Sequence, residues 1–395
     1  MTGADPRAHL GQAMERVAAS QTTAMTDRAS ALREAGRDII SLSVGEPDFP
    51  TPSHIIAAAK AALDDGATRY TAVTGTSALK AAAALHFQRD LGIAAQPDAI
   101  IATAGGKQAI FEAFAATLSA GDEVIVPSPW WVSYPQMVRF MGASVVPLLT
   151  HPRDGFRFDA GELDGQIGPR TKWLVLNSPG NPTGAVYPAQ MLRHIGEVLR
   201  SHPQVMVLSD DIYAPLNYTS GPHATLAAVC PDLAERVLTV SGVSKAYAMT
   251  GFRIGLATGP HWLVDAMGRL QSNTSGNPAA VSQAAAVAAL EGPQDFLAEW
   301  REAFRERRDL VVRRINAIPG LSCPVPDGAF YAFVDAAPLM DRFGDDAALA
   351  LHLLDNGVAI VPASAFGGRD GFRISFAASK EKLDEALSRV ESALA

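Results

Sequence analysis

Cysteine is nearly absent from this chain. Cys230 and Cys323 are the only two in 395 residues. Two cysteines build no disulfide framework, and neither sits at a zinc-type spacing, so a reducing, cytoplasmic setting is expected. The nine histidines are scattered, with no HExxH and no His/Cys cluster, so no metal site is expected. No uncharged apolar run is long enough to span a bilayer, and the opening "MTGADPRAHLGQ" has no apolar signal-peptide core. Basic excess is missing as well. A net charge of −8 argues against a nucleic-acid surface. Internal repeats, low-complexity linkers and a complete GxGxxG or Walker motif are all lacking.

What is present is ordinary globular material. Hydrophobic residues make up 48% of the chain and charged residues 19%, which suffices for a large core. The length suggests two domains, or one large domain with an appendage. Residues 1–40 read as a helix, "ASALREAGRDI", leading into the short strand "IISLSVG". From about 55 to 275, short apolar runs alternate with helical segments. The strands are "DAIIATA", "DEVIVP", "ASVVPLL", "TKWLVLN", "QVMVLSD", "RVLTVSG" and "RIGLATG". Such alternation indicates βαβ units around a buried, mostly parallel sheet, hence an α/β fold. After 280 the character changes. A long helical stretch, broken at Gly292-Pro293, carries the charge run "EWREAFRERRDLVVRRI", which reads as a solvated helix face. Then follow "GAFYAFVD", a helix near 346–356, the strand "VAIVP", "GFRISFA" and a last helix. That is the pattern of a smaller α+β domain joined by the N-terminal segment.

Ligands of parallel α/β sheets bind at the carboxyl ends of the strands. Several segments follow such ends. Gly105-Gly106-Lys107 opens a helix and can bring backbone N–H groups to a phosphate, although a lone Gly-Gly is more often just a turn. Asp210 ends an apolar strand. It can be a cap, or a carboxylate in a low-dielectric site able to pair with a cationic ring nitrogen. Trp130 and Trp131 are core residues or a flat surface for a planar ring. "NSPGNPTG" is a turn by composition, yet Asn181 can present its amide to a ligand. Ser77 and Lys80 match SxxK, which chance explains at four positions. The lone amine of Lys245 sits among small residues just past "RVLTVSG". Taken jointly, a phosphate cradle, an indole face, a buried acid and a lysine form the inventory that holds a phosphorylated pyridine aldehyde through a lysine Schiff base.

At this point the chain resembles the class I aminotransferases of the pyridoxal-phosphate fold type I group, in particular the bacterial aspartate/prephenate branch. The matching stretches run in family order over residues 42–377. They include "SVGEPDF", "GGKQAIFEAF", "NSPGNPTGAVY", "LSDDIY", "SKAYAMTGFRIG", "PDGAFYAF" and "FRISFA". The resemblance implies a large cofactor domain over 50–290 with a mostly parallel seven-stranded sheet, and a small α+β domain from 1–49 and 291–395. It implies pyridoxal 5′-phosphate as cofactor, with Lys245 as the Schiff-base and proton-shuttling lysine. Asp210 would pair with the ring nitrogen, Tyr213 and Asn181 would bond the ring oxygen, and Trp131 would stack on the ring. Gly105, Gly106, Lys107, Ser244 and Arg253 complete the cofactor set. Tyr70 would reach the cofactor of a neighbouring subunit, so a homodimer with shared active sites is implied. For the substrate, Arg373 would clamp the α-carboxylate with help from the Gly45 backbone, beside Trp131 and Asn181. Lys107, Ser20 and Thr22 would hold a distal carboxylate. The expected reaction is transfer of an amino group from aspartate or glutamate to a 2-oxo acid. A transaminase of aromatic or unusual amino acids, a β-lyase and a cyclising enzyme share the same core residues. Trp130, Asp211 and Gly180 depart from the usual "SPYW", "SDEIY" and "NSPNNPTG" spellings. A regulatory protein of the same fold would need a DNA-binding appendage, and the residues before "SVGEPDF" are too few and not basic.

Overall fold

The computed structural model describes residues 9–395. Its strands, in chain order, are β1 (Ile40–Ser41), β2 (Ile100–Thr103), β3 (Glu123–Ser128), β4 (Ser144–Leu149), β5 (Thr171–Asn177), β6 (Met206–Asp210), β7 (Val237–Gly242), β8 (Gly255–Thr258), β9 (Tyr331–Asp335), β10 (Val358–Ala359), β11 (Val361–Pro362) and β12 (Gly371–Ser375). Seven of them form one sheet in the order β2-β8-β7-β6-β5-β3-β4. The five from β4 to β7 are mutually parallel, and β8 runs antiparallel to both neighbours. Parallel strands need crossovers, and helices such as Ser133–Phe140 and Ala189–Ser201 supply them. Helices cover both faces, which is why β2 and β7 are buried along their whole length, Thr103, Thr239 and Ser241 included.

The sheet ends place chemistry side by side. Asn177 at the end of β5 pairs in register with Asp210 at the end of β6, and Asp210 with Val240 of β7. Helix Gly106–Thr117 follows β2 and buries Ala109, Ile110, Ala113 and Phe114. That i, i+1, i+4, i+5 spacing puts one apolar stripe against the sheet and leaves the helix start at its edge.

A second core gathers both ends of the chain. Met25, Ala29, Ile39 and Leu42 pack with Phe304, Val311, Phe330, Leu353, Phe372, Phe376 and Leu387. β1 pairs in parallel with β10, and β11-β12-β9 form a separate antiparallel sheet. The expected single strand "VAIVP" is therefore two. The chain changes sheets at Ile360, so β10 serves β1 and β11 serves β12. The helical stretch after 280 divides as expected into Ala280–Glu291 and Asp295–Asn316. Pro293 has no N–H to continue the ladder. His261–Asn273, assigned no element from sequence, is a helix that buries Leu263, Val264 and Met267. Gly268 in its middle weakens the local helical signal. Helix Ala160–Gln166 was also unassigned, although Asp159 and Glu162 form a complete capping box.

Candidate active site

The loop after β7 carries Lys245. Its backbone is held in sparsely populated geometry: Ala248 has φ 51° and Arg253 φ 57°, both left-handed and neither glycine. Such residues persist only where their surroundings impose them. The Thr51 hydroxyl supplies one constraint, donating to the Ala248 carbonyl at 2.6 Å. The Arg253 guanidinium supplies two more, donating to the carbonyls of Thr250 at 2.9 Å and Ala104 at 3.0 Å. Lys245 Nζ donates to the Gly45 carbonyl at 2.7 Å. Burial pushes the Lys245 amine down to about 8. The nearby Glu46 opposes this, and the positive charges of Arg373 and Arg253 add to it.

Asp210 is 6% exposed. Its carboxylate accepts the Tyr134 hydroxyl at 2.6 Å and the Ile212 N–H at 3.3 Å. Burial raises its pKa to about 6 in spite of those donors. Tyr213, one turn on, shares a hydrogen bond with Tyr331 at 2.9 Å, hydroxyl to hydroxyl. The "NSPGNPTG" turn is tied to the sheet by Asn177. Its amide donates to the Asp210 carbonyl at 2.9 Å, and its side-chain oxygen accepts the Asn181 N–H at 2.8 Å.

Arg373 of β12 enters from the second core. It is 3% exposed, and its guanidinium donates to Asn181 Oδ1 at 3.0 Å and to the Ser43 carbonyl at 2.5 Å. The rings of Tyr331 and Phe366 lie 4.5 and 4.9 Å from its Cζ. Its buried Nε has no partner among the described residues. Burial lowers its pKa, so the group is held dry and in want of an anion.

At the start of helix Gly106–Thr117, Gly105 has φ 93°. A Cβ there would stand 2.8 Å from the Arg253 Cζ, so only glycine lets that guanidinium close over the helix N-terminus. Lys107 Nζ lies 5.1 Å from the Trp131 ring centre, and burial and Arg253 both lower its pKa.

These groups surround one cavity of about 430 Å³. Of the residues singled out from sequence, Thr22, Gly45, Gly106, Lys107, Trp131, Asn181, Asp210, Tyr213, Ser244, Lys245, Arg253 and Arg373 line it. Gly105 lies just behind, against Arg253. Ser20 does not reach the cavity. Its hydroxyl caps helix Gln21–Glu34, accepting the Thr23 N–H at 3.3 Å, and it borders a second cavity instead. Tyr70 stands outside, 97% exposed. Trp130, which sequence leaves open between core and ring surface, does not line the cavity either. It lies against Gly367, where a Cβ would come within 3.0 Å of the indole. Tyr134, Tyr331, Thr250, Thr26 and Ser43 also line the cavity, and sequence reasoning missed them. Tyr331 stands inside the quoted "GAFYAF" stretch and was legible there. Tyr134 was not, since its partner Asp210 is 76 residues away.

The aminotransferase class I and II model matches residues 37–390. The chain belongs to that family. It is 47% identical over 393 residues to the aspartate/prephenate aminotransferase of Cereibacter sphaeroides, covering 98% of each chain. It is 47% identical over 374 residues to an aspartate aminotransferase of Rhizobium meliloti, covering 93% of this chain and 91% of the other. Among solved structures it resembles the Rhizobium meliloti aspartate aminotransferase with a TM-score of 0.93 at 44% identity, covering 99% of each chain. The Thermus thermophilus aspartate aminotransferase with maleate gives 0.93 at 42% identity, covering 98% of this chain and 99% of that one. The aminotransferase described here is thus a transaminase of fold type I that uses pyridoxal 5′-phosphate.

Proposed function

We propose that this aminotransferase takes aspartate as its amino donor and that the cavity described above is its active site. The observation that carries the reading is the pair of cations on one cavity. Arg373, with its unpartnered Nε, suits an α-carboxylate, and Lys107 supplies a second positive charge for a distal one. Thr22 lines the same wall. The relatives' names, aspartate and aspartate/prephenate aminotransferase, support it. A donor panel tests it. In Lys107→Ala, kcat/KM for aspartate should fall about a hundredfold, the loss of a charge-assisted contact. Phenylalanine should change less than about threefold, because it has no second carboxylate. Equal losses for both donors would rule out the distal role.

The residues fit the cofactor. A dianionic phosphate suits the N-terminus of helix Gly106–Thr117 closed over by Arg253, an approach that the missing Cβ of Gly105 permits. Asp210 is a buried carboxylate whose raised pKa marks an anion short of a cationic partner, which a protonated ring nitrogen supplies. Trp131, Tyr213 and Asn181 line the same cavity; Trp131 would offer the ring a flat face, and Tyr213 and Asn181 would bond its oxygen. When bound, the cofactor supplies an electron-withdrawing ring able to take up charge released at the substrate Cα. The chain does the rest. Arg373 fixes the carboxylate, assisted by the Asn181 and Ser43 contacts that hold its own plane. Lys245 takes the proton from Cα as an unprotonated amine, which its lowered pKa favours. Asp210 holds the ring-nitrogen proton in place.

The lysine gives a pH prediction. A base with its pKa lowered from 10.5 to about 8 is an ammonium below that value and a nucleophile above it. Uptake of pyridoxal phosphate by the apoenzyme should therefore speed up with pH, with its midpoint near 8 and a plateau above it. Stopped-flow absorbance measures it, and a midpoint near 10.5 would contradict the burial argument.

We also infer a homodimer in which Tyr70, exposed and outside its own cavity, serves the other subunit's site. Light scattering should report twice 41.6 kDa. Tyr70→Phe should release cofactor faster, although the residue touches nothing in its own cavity. We take the two cores to mark domains at 50–290 and at 1–49 with 291–395. A cytoplasmic location fits Cys230 and Cys323, both free and buried. Among the described residues no helix is long and apolar enough to cross a membrane.

A further inference from the structure

Asp211 follows Asp210 directly and replaces the glutamate of the usual spelling. Its backbone N–H donates to the Val240 carbonyl at 2.9 Å, tying the end of β6 to the strand that leads to Lys245. Asp210 lines the cavity and Asp211 does not. Successive residues of an extended chain face opposite ways. On the far side Asp211 meets His223. Nε2 and Oδ1 are 2.6 Å apart, and the side chains are 3% and 2% exposed. The other carboxylate oxygen accepts the Ser209 hydroxyl at 2.6 Å and the Thr225 hydroxyl at 3.2 Å. A buried carboxylate is costly and is tolerated only with such donors. The chain thus keeps two adjacent buried acids at one strand end, and only one of them faces the cavity.

We propose that Asp211 and His223 form a positioning pair for Asp210. They fix the turn that presents Asp210 and Tyr213, and they confine the second negative charge to the far face of β6. The inference rests on the reading that Asp210 partners the cofactor's ring nitrogen. Two hydroxyls and a ring pin the Asp211 carboxylate from three directions. Asp210 itself is faced by Tyr134 from helix Ser133–Phe140, by Lys245 from the loop after β7, and by Tyr213 from its own turn. Asp211 is faced by His223, Ser209 and Thr225. None of these supplies a fixed positive charge next to Asp210 except Lys245. The charge on Asp211 therefore bears directly on the proton affinity of Asp210, which it raises.

The test is cofactor release from full-chain holoenzyme, followed by absorbance after gel filtration between about pH 5 and about pH 8. His223→Leu should release cofactor about tenfold faster, while His223→Gln, which keeps a donor, should stay within about threefold of the native rate. Asp211→Asn removes the neighbouring charge, so Asp210 should stay ionised to lower pH. The acid limb of retention should move down by about one pH unit. A role in stability alone would lower the melting temperature and leave that limb unmoved. If His223→Leu does not fold, the limb in Asp211→Asn still decides. Asp210→Asn is the control. If it loses cofactor while both His223 variants and Asp211→Asn behave as native, the pair is not a positioning device. If Asp210→Asn itself retains cofactor as the native enzyme does, the reading of Asp210 falls and the inference with it.

Discussion

Lys245→Ala should lower kcat by about 10⁴-fold or more and remove the bound cofactor's visible absorbance band. Both effects follow from one atom. The amine is dry enough that it loses its proton around pH 8 rather than 10.5, and it is placed by a carbonyl on a different part of the chain. Alanine leaves no group to take the Cα proton. Lys107, the other amine lining the cavity, sits over Trp131, toward the wall assigned to the distal carboxylate. The fold should survive. The left-handed geometry of Ala248 and Arg253 is imposed by Thr51, Thr250 and Ala104, none of which depends on the lysine side chain. Circular dichroism and melting should therefore match the native protein. Multiple-turnover transamination by the variant would show that the proton is carried elsewhere.

Arg373→Leu carries the second large effect. Removing a fully desolvated guanidinium proposed to bind the carboxylate should cost about 3–5 kcal/mol of transition-state binding, so kcat/KM for aspartate should fall about 10²–10⁴-fold. Arg373→Lys should recover little, because an ammonium cannot reproduce two parallel N–H donors. The loss should appear with every amino acid donor, since all carry the α-carboxylate. That separates this position from Lys107, whose loss should fall on dicarboxylic donors alone. Cofactor content should remain near native, because Arg373 is proposed to hold the substrate and not the cofactor. Steady-state kinetics across the donor panel measure the effect, and a drop of less than about tenfold would remove Arg373 from its assigned role.

Much of the sheet was legible because its strands are short apolar runs with helical runs between them, a pattern carried by neighbours in sequence. The antiparallel β8 and the division of "VAIVP" at Ile360 were not, because a strand's partner is chosen by packing. The site divides in the same way. Lys245, Asp210, Asn181, Arg253 and Arg373 stand in quoted stretches whose residue types announce their chemistry. Ser20 and Thr22 read alike from sequence, yet one caps a helix and the other faces the cavity. Two positions of helix phase decide that. Trp130 and Trp131 read alike as core or ring surface, yet Trp130 packs against the core and Gly367 while Trp131 lines the cavity.

By itself the order of amino acids determined the α/β alternation, the aminotransferase resemblance and the reactive groups at the strand ends, because each is written in contiguous residues. Only the tertiary structure decided which of those groups are dry, which hydroxyls hold them and which loop closes over Lys245. Desolvation, which moves Lys245 down and Asp210 up, depends on atoms brought in from distant parts of the chain, and no local pattern records it.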